Sequence, residues 1–206
     1  MGRVGVFIDR DGTVNEEVGY LDDLDRLRLI PGAARGIRLL NEAGLVTILV
    51  SNQSGVARGY FPESRVKEIH AGLACMLGAE GARLDAIYYC PHHPDFGPPG
   101  LRVACNCRKP RTGMIARGVE EFGLDAARSY VLGDKLTDIA CARAAGSIGV
   151  LVQTGYGRGE RDSNPERGPV VPDHEAADLL EAATWIISRE GREGAGEGGG
   201  DSVCKT

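Results

Sequence analysis

Two aspartates near the start of the chain, Asp9 and Asp11, are of a type and spacing suited to chemistry. They follow the apolar run RVGVFI and precede Gly12 and Thr13. Two carboxylates at this spacing converge once glycine lets the chain turn, and a divalent cation, which prefers oxygen ligands, relieves their repulsion. One carboxylate can then attack phosphorus while the other transfers protons. The alternative is an Asx turn that closes the strand and leaves both carboxylates solvated.

Later segments supply groups that suit the same chemistry. Asp134, in the sequence GDKLTD, is a candidate third carboxylate for a Mg²⁺ site, whereas Asp138 is explained in part by helix capping. Ser51 and Asn52 offer a hydroxyl and an amide that can donate to phosphoryl oxygens. A plain turn before Gly55 is the alternative for this pair.

A basic loop, Arg108-Lys109-Pro110, contributes two cations. Lys109 is placed to neutralise charge on a transferring phosphoryl group, and Arg108 to hold a second anionic part of a substrate. A solvated basic loop without a ligand is the alternative.

Cysteines and histidines form a second candidate site. The chain has six cysteines, and its N-terminus does not resemble a secretory signal. We therefore expect a reducing compartment, in which clustered thiols indicate a metal site. Cys90, one of His92 and His93, Cys105 and Cys107 together make a Cys₃His set for tetrahedral Zn²⁺. Such a site leaves no position for water and is structural. Packed free thiols or a redox disulfide are the alternatives.

The elements that must position these groups alternate between strands and helices. The sequence predicts strands at 3–8, 45–50, 86–89, 130–132 and 149–152. It predicts helices between Pro31 and Gly44, after Pro62, from Thr112 to Gly123, near 137–145 and over 175–188. The predicted fold class is therefore α/β, a Rossmann-like parallel sheet flanked by helices, and the polar groups that follow the strands share its carboxyl edge.

Composition narrows the class of protein. Hydrophobic residues make up 42% and charged residues 26% of the 206 residues, which excludes a chain that is disordered throughout. The net charge of −5 makes a broad nucleic-acid surface unfavourable. No apolar run approaches the roughly 20 residues of a membrane span, so we expect a cytoplasmic protein. We expect one domain over 1–190 and a disordered, glycine-rich tail over 191–206.

Five motifs together resemble those of a known family. FIDRDGTVN, SNQSGVARG and VLGDKLTDI are similar to motifs of the haloacid dehalogenase-like phosphatases. YYCPHHP followed by CNCRKPRTGM resembles the zinc-loop branch, which includes heptose bisphosphate and histidinol-phosphate phosphatases. The match runs from about residue 4 to 155, and the chain is too short for a large cap domain between the motifs.

The resemblance implies a role for each matching residue. Asp9 would be the nucleophile and Asp11 the general acid and base, while Ser51 and Lys109 would hold the phosphoryl group. Mg²⁺ would be bound by the Asp9 carboxylate, the Asp11 backbone carbonyl and Asp134. The zinc ligands would be Cys90, His92, Cys105 and Cys107. The substrate site would be lined by Glu17, Val18, Gly19, Tyr20, Asn52, Gln53, Ser54, Arg108 and Lys135, together with Ser51 and Lys109.

The expected function is that of a Mg²⁺-dependent phosphomonoesterase with an aspartyl-phosphate intermediate and a structural Zn²⁺. A small phosphorylated sugar is the expected substrate, namely heptose 1,7-bisphosphate cleaved at position 7 for lipopolysaccharide or S-layer sugars. Histidinol phosphate is the alternative, with Glu17 meeting its amine. A non-catalytic phospho-ligand module and a phosphotransferase also stay open. We expect a monomer with neither nucleic acid nor membrane as partner.

Overall fold

A parallel sheet organises residues 2–160 and 170–196, the part of the chain that the computed structural model describes. Within that part the sheet has six strands in the order β3-β2-β1-β4-β5-β6. The strands are β1 (Gly5–Ile8), β2 (Val46–Asn52), β3 (Ala86–Cys90), β4 (Tyr130–Gly133), β5 (Ile148–Val152) and β6 (His174–Ala176). The helices are α1 (Ala33–Glu42), α2 (Glu63–Ala79), α3 (Gly113–Phe122), α4 (Leu136–Ala145), the single turn α5 (Gly157–Glu160) and α6 (Leu179–Gly196).

The helices cover both faces of the sheet and make two apolar cores. Successive strand residues point to opposite faces, so Ile8 packs with α1, α2 and α6, whereas Phe7 packs with Ile115 of α3 and Cys141 of α4. Burial on both faces explains why the central strands are continuous apolar runs rather than alternating ones. The predicted parallel α/β fold is confirmed.

Two features at the C-terminal end differ from the predicted pattern. The edge strand β6 was not predicted, because its sequence His-Glu-Ala lacks an apolar run and its place depends on pairing with β5. Helix α6 starts at Leu179 rather than at 175 and continues to Gly196, past the predicted start of the tail and despite the glycines at 191, 194 and 196. The rest of the predicted tail, 197–206, lies outside the described residues.

Two long connections leave the carboxyl edge of the sheet. Residues 9–32 join β1 to α1 and contain only a short 3-10 turn, Leu24–Arg26, and residues 91–112 join β3 to α3. In the described part of the chain neither connection forms a separate domain, which confirms the prediction of no large cap. Among the described helices, none has both the length and the apolar character to cross a bilayer.

Candidate active site

A polar cavity of about 370 Å³ lies at the carboxyl edge of the sheet. Loops that follow β1, β2, β4 and β5 contribute to its wall, together with the basic loop before α3 and the first turn of α4. Most of the predicted site residues meet here: Asp9, Asp11, Glu17, Gly19, Tyr20, Ser51, Asn52, Ser54, Arg108, Lys109 and Lys135 line the cavity.

Three predicted residues do not line the cavity itself. Val18 packs against the apolar core. Gln53 is 5% exposed and does not line the cavity. Its amide donates to Ser51 Oγ at 2.7 Å and to Asp11 Oδ2 at 3.0 Å, so it holds these two residues in place. Asp134 is completely buried and lies beneath the cavity rather than on its surface.

A buried lysine joins two carboxylates at the floor of the cavity. Lys109 Nζ lies 2.6 Å from Asp9 Oδ1 and 2.6 Å from Asp138 Oδ1, and it donates to the Val50 carbonyl at 2.9 Å. All three charged side chains are at most 8% exposed. Asn52 fixes the lysine backbone through two hydrogen bonds of 3.0 and 3.1 Å, which ties the basic loop to the end of β2.

The cluster carries more negative than positive charge. Carboxylate oxygens of Asp9, Asp134 and Asp138 lie within 4.8 Å of one another, and one ammonium group pairs with two of these carboxylates. Burial raises the pKa of Asp9 to about 6, against the opposing effect of Lys109. Burial, helped by Asp9, raises the pKa of Asp134 to about 7. Burial alone would lower the pKa of Lys109, but the Asp138 and Asp9 carboxylates raise it above its usual value.

Asp134 is held by a close approach of two backbone segments. Gly12 and Gly155 both adopt positive φ, and a Cβ at either position would collide with the Asp134 carboxylate. The Tyr156 amide donates to Asp134 Oδ2 at 2.8 Å, while the other oxygen of this carboxylate is buried and has no hydrogen-bond partner among the residues that the structure describes. A buried carboxylate oxygen without a hydrogen-bond partner is the kind of ligand atom that binds a cation.

Asp11 has a different environment from Asp9. The Arg10 guanidinium, which is 1% exposed, donates to both oxygens of Asp11 at 2.8–3.0 Å. Burial would raise the pKa of Asp11, but Arg10 and hydrogen bonds from Asn15 and Gln53 lower it below its ordinary value.

Behind Arg10 lies a buried histidine. Arg10 Nη1 is 3.3 Å from His70 Nε2, and burial together with the guanidinium lowers the pKa of His70 to about 3. His70 is therefore neutral and can accept a hydrogen bond from Arg10, which keeps the guanidinium aimed at Asp11.

The sequence reasoning missed several cavity residues. Asp138 was assigned in part to helix capping, and it does accept from the Lys135 amide at 3.2 Å, but its other oxygen pairs with Lys109. Its spacing of four residues from Asp134, at the start of a helix, was the available signal. Thr137 and Tyr156 also line the cavity, and no motif marks them.

The cysteine cluster forms in the loop between β3 and α3. The sulfur atoms of Cys90, Cys105 and Cys107 lie 3.1–3.4 Å apart, and His92 Nδ1 lies 3.3 Å from the Cys107 sulfur. These separations exceed the roughly 2.05 Å of a disulfide bond, so the thiols are free. His93 instead contacts Arg58 and the Asp95 amide, outside this cluster.

Electrostatics within this loop favour thiolate formation at one position. Although burial raises the pKa of a thiol, hydrogen bonds with Cys107 and Cys90 lower the pKa of Cys105 to about 7. Burial raises the pKa of Cys90 above its usual value. Three sulfur atoms and one imidazole nitrogen around a common point are the donor set of a structural zinc site.

Comparison with known proteins identifies the family. A family model described as HAD-hydrolase-like matches residues 106–182. The D-glycero-D-manno-heptose-1,7-bisphosphate 7-phosphatase of Thermosynechococcus vestitus is 44% identical over 195 residues, which cover 91% of this chain and 97% of the relative. The chain belongs to this family of haloacid dehalogenase-like phosphatases.

Two further comparisons show that the chain belongs to the same family. The Yersinia pestis D-glycero-beta-D-manno-heptose-1,7-bisphosphate 7-phosphatase is 40% identical over 185 residues, which cover 89% of each chain. The crystal structure of D,D-heptose 1,7-bisphosphate phosphatase from B. bronchiseptica, complexed with magnesium and phosphate, superposes with a TM-score of 0.79 at 32% identity. It covers 90% of this chain and 99% of its own. The resemblance found in the motifs is thereby confirmed.

The charge balance around Lys109 leads to a stability prediction. Replacing Lys109 with Met leaves Asp9 and Asp138 buried without their cation, so we expect the free energy of unfolding to fall by about 3–5 kcal/mol at pH 8 in a metal chelator. Urea denaturation measures this loss. The loss should be smaller at pH 5.5, where Asp9 takes up a proton.

The matched control is the double variant Lys109→Met with Asp138→Asn. Removing one negative charge together with the positive charge should recover part of the lost stability. If the losses of stability in the two single variants simply add up in the double variant, the ion-pair explanation is contradicted.

Proposed function

We propose that this protein is a Mg²⁺-dependent phosphatase that removes the 7-phosphate of D-glycero-D-manno-heptose 1,7-bisphosphate through an aspartyl-phosphate intermediate. The observation that carries this proposal is the Asp9–Lys109 pair at the floor of a polar cavity, with two further carboxylates in reach. The names of the relatives in this family support the substrate, and the proposed role of this chain in heptose biosynthesis follows from it.

Mg²⁺ would be held by the carboxylates of Asp9 and Asp134 and by the backbone carbonyl of Asp11. The assignment is supported because the carboxylates are mutually close and outnumber the lysine, and because one buried Asp134 oxygen has no partner within 2–160 and 170–196. When bound, the ion would neutralise charge on the phosphoryl oxygens. A related structure with magnesium and phosphate supports the choice of metal.

Asp9 is the proposed nucleophile. Its carboxylate oxygen forms a bond to phosphorus in line with the ester oxygen, whose bond to phosphorus breaks. Lys109 keeps Asp9 ionised and offsets the charge of the transferring group. Ser51 would donate its hydroxyl proton to a phosphoryl oxygen, a role supported by the Gln53 amide, from which its oxygen already accepts at 2.7 Å.

Asp11 is the proposed general acid and base. Protonated Asp11 donates to the departing alkoxide, and the resulting carboxylate takes a proton from the water that cleaves the phospho-aspartate. The hydrogen bonds from Arg10, Asn15 and Gln53 stabilise the carboxylate. The low pKa makes protonated Asp11 a strong acid toward the alkoxide, and the proton that it takes from water in the second step restores the acid for the next turnover.

The cavity wall favours a bisphosphate over histidinol phosphate. Arg108 and Lys135 offer cations for a second anionic group. Glu17, the residue available for an amine, has both oxygens engaged: one accepts from the Gly19 amide at 2.6 Å and the other pairs with Lys135 at 3.1 Å. A cationic amine would therefore find Glu17 already paired with Lys135, and Arg108 adds a further positive charge to the cavity wall.

Purified protein with Mg²⁺ should hydrolyse heptose 1,7-bisphosphate with a kcat/KM higher than that for histidinol phosphate by a factor on the order of 100 or more. Phosphate release with both substrates under identical conditions measures this ratio. The variant Asp9→Asn should fold normally and lose turnover of both. Equal use of the two substrates would refute the assignment of substrate, and turnover by Asp9→Asn would refute the nucleophile.

The affinity for Mg²⁺ should weaken as the pH falls from 8 to 5.5. The metal-free protein holds protons at Asp9 and Asp134 below about pH 6 and 7, respectively, and the ion must displace them. Calorimetric titration in two buffers of different ionisation enthalpy counts the protons released. Asp134→Asn should bind the ion more weakly and release fewer protons, whereas a pH-independent affinity would contradict this metal site.

We also propose that Cys90, His92, Cys105 and Cys107 bind a structural Zn²⁺. Four donors that surround one point, with no disulfide between the thiols, support this assignment. The ion would order the loop that delivers the basic residues to the cavity, since Arg108 donates to the His92 carbonyl at 3.4 Å. The chain around it, PDFGPPG, has little apolar surface to bury.

Elemental analysis should find a zinc ion in each chain, and its removal by a strong chelator should lower the midpoint of thermal unfolding. Cys105→Ser should lose zinc, whereas Cys75→Ser, at an exposed cysteine outside the cluster, should keep it. Wild-type protein without zinc, or equal zinc loss in both variants, would exclude the site.

A further inference from the structure

Tyr156 lies in the loop after β5 and is fixed there by its backbone. Its amide donates to buried Asp134 at 2.8 Å, and the preceding Thr154 hydroxyl donates to the Gly12 carbonyl at 2.6 Å. Gly155 has a φ of +54°, and a Cβ at Gly157 would collide with the Val152 carbonyl. The loop therefore has little freedom, and the ring of Tyr156 is presented at the cavity wall with 49% of the residue exposed.

The ring of Tyr156 contacts a cation that also lines the cavity. Lys135 Nζ lies 4.4 Å from the ring centroid, within the range of a cation–π interaction, and 3.1 Å from Glu17 Oε2. The ammonium is thus held between an aromatic face and a carboxylate. Without these contacts the flexible four-carbon side chain of lysine, 35% exposed here, would sample many positions.

The two contacts have different consequences for Lys135. The Glu17 carboxylate attracts the ammonium but leaves it free to rotate about that one contact. The Tyr156 ring restricts this motion from a second side. Among the described residues the Tyr156 hydroxyl has no hydrogen-bond partner, so the aromatic face is the part of the side chain that acts. A phenylalanine in place of Tyr156 should therefore preserve the contact with Lys135, and an alanine should abolish it.

We propose that Tyr156 is a positioning residue for substrate recognition, which holds the Lys135 ammonium at the cavity wall to meet the anionic or hydroxyl-rich end of the substrate that does not react. This inference rests on the proposed sugar bisphosphatase function. Fixing the lysine before the substrate arrives reduces the entropy lost on binding, so the effect belongs to KM rather than to the chemical step.

Steady-state kinetics with heptose 1,7-bisphosphate test the proposal in four variants: Tyr156→Phe, Tyr156→Ala, Lys135→Met and the double variant Tyr156→Ala with Lys135→Met. We expect Tyr156→Ala to raise KM about tenfold with little change in kcat. Tyr156→Phe should stay close to the wild type. Because the ring acts through Lys135, the double variant should match Lys135→Met.

Three kinetic results would overturn the proposal. They are additive effects in the double variant, an unchanged KM in Tyr156→Ala, and a loss in Tyr156→Phe as large as that in Tyr156→Ala. Additivity would mean that the ring contacts the substrate independently of the lysine.

A spectroscopic test needs no substrate. The chain has four lysines, so the side-chain methylene resonances of lysine-labelled protein are few, and Lys135→Met identifies the one that belongs to Lys135. Its resonance should be shifted upfield by the aromatic ring, and this shift should vanish in Tyr156→Ala and persist in Tyr156→Phe. An unshifted Lys135 resonance in the wild type would refute the contact. Failure of wild-type turnover alone would instead refute the proposed function.

Discussion

The active site depends on one buried ammonium group between two carboxylates. Asp9 comes from the end of β1 and Asp138 from the first turn of α4, and like charges so close together in a dry environment repel strongly. Lys109 offsets both charges, and it can do so only if the loop before α3 reaches into the sheet edge. Asn52 anchors that loop at the end of β2, and the cysteine cluster shapes it further back along the chain. The pairing of Lys109 with these two carboxylates therefore holds together three segments that are distant in sequence.

The parallel sheet explains why so much of the site could be predicted. Continuous apolar runs predict central strands, and the carboxyl ends of parallel strands meet at one edge, so Asp9, Ser51 and Asp134 had to lie near one another. Lys109 follows no strand, so the residues alone left open whether its loop is solvated, and the resemblance of the motifs selected it for the site. Local sequence patterns thus predict where the residues at the strand ends lie, whereas they do not predict the positions of residues in the loops.

The residues that were missed or misplaced owe their roles to tertiary packing. Arg10 lies between two aspartates, and nothing in the sequence tells that its side chain turns inward onto Asp11 and His70. Gln53 was predicted to contact substrate, yet the turn after β2 directs its amide inward, to Ser51 and Asp11. Side-chain direction in a turn has no periodicity comparable to that of a strand or helix, so sequence spacing does not predict it.

The two aspartates of the first motif show how environment divides their proposed roles. Burial raises the pKa of Asp9, so its ionised form depends on the positive charge beside it, whereas Arg10 lowers the pKa of Asp11 and makes its carboxylate the stable form. At a pH near its pKa of about 6, part of Asp9 is protonated, so the ionised form that attacks phosphorus gains from the positive charge of Lys109. Because Arg10 lowers its pKa, protonated Asp11 gives up its proton readily, which suits the protonation of the departing alkoxide. Opposite shifts in neighbouring carboxyl groups thus make the proposed nucleophile depend on Lys109 and the proposed proton carrier depend on Arg10.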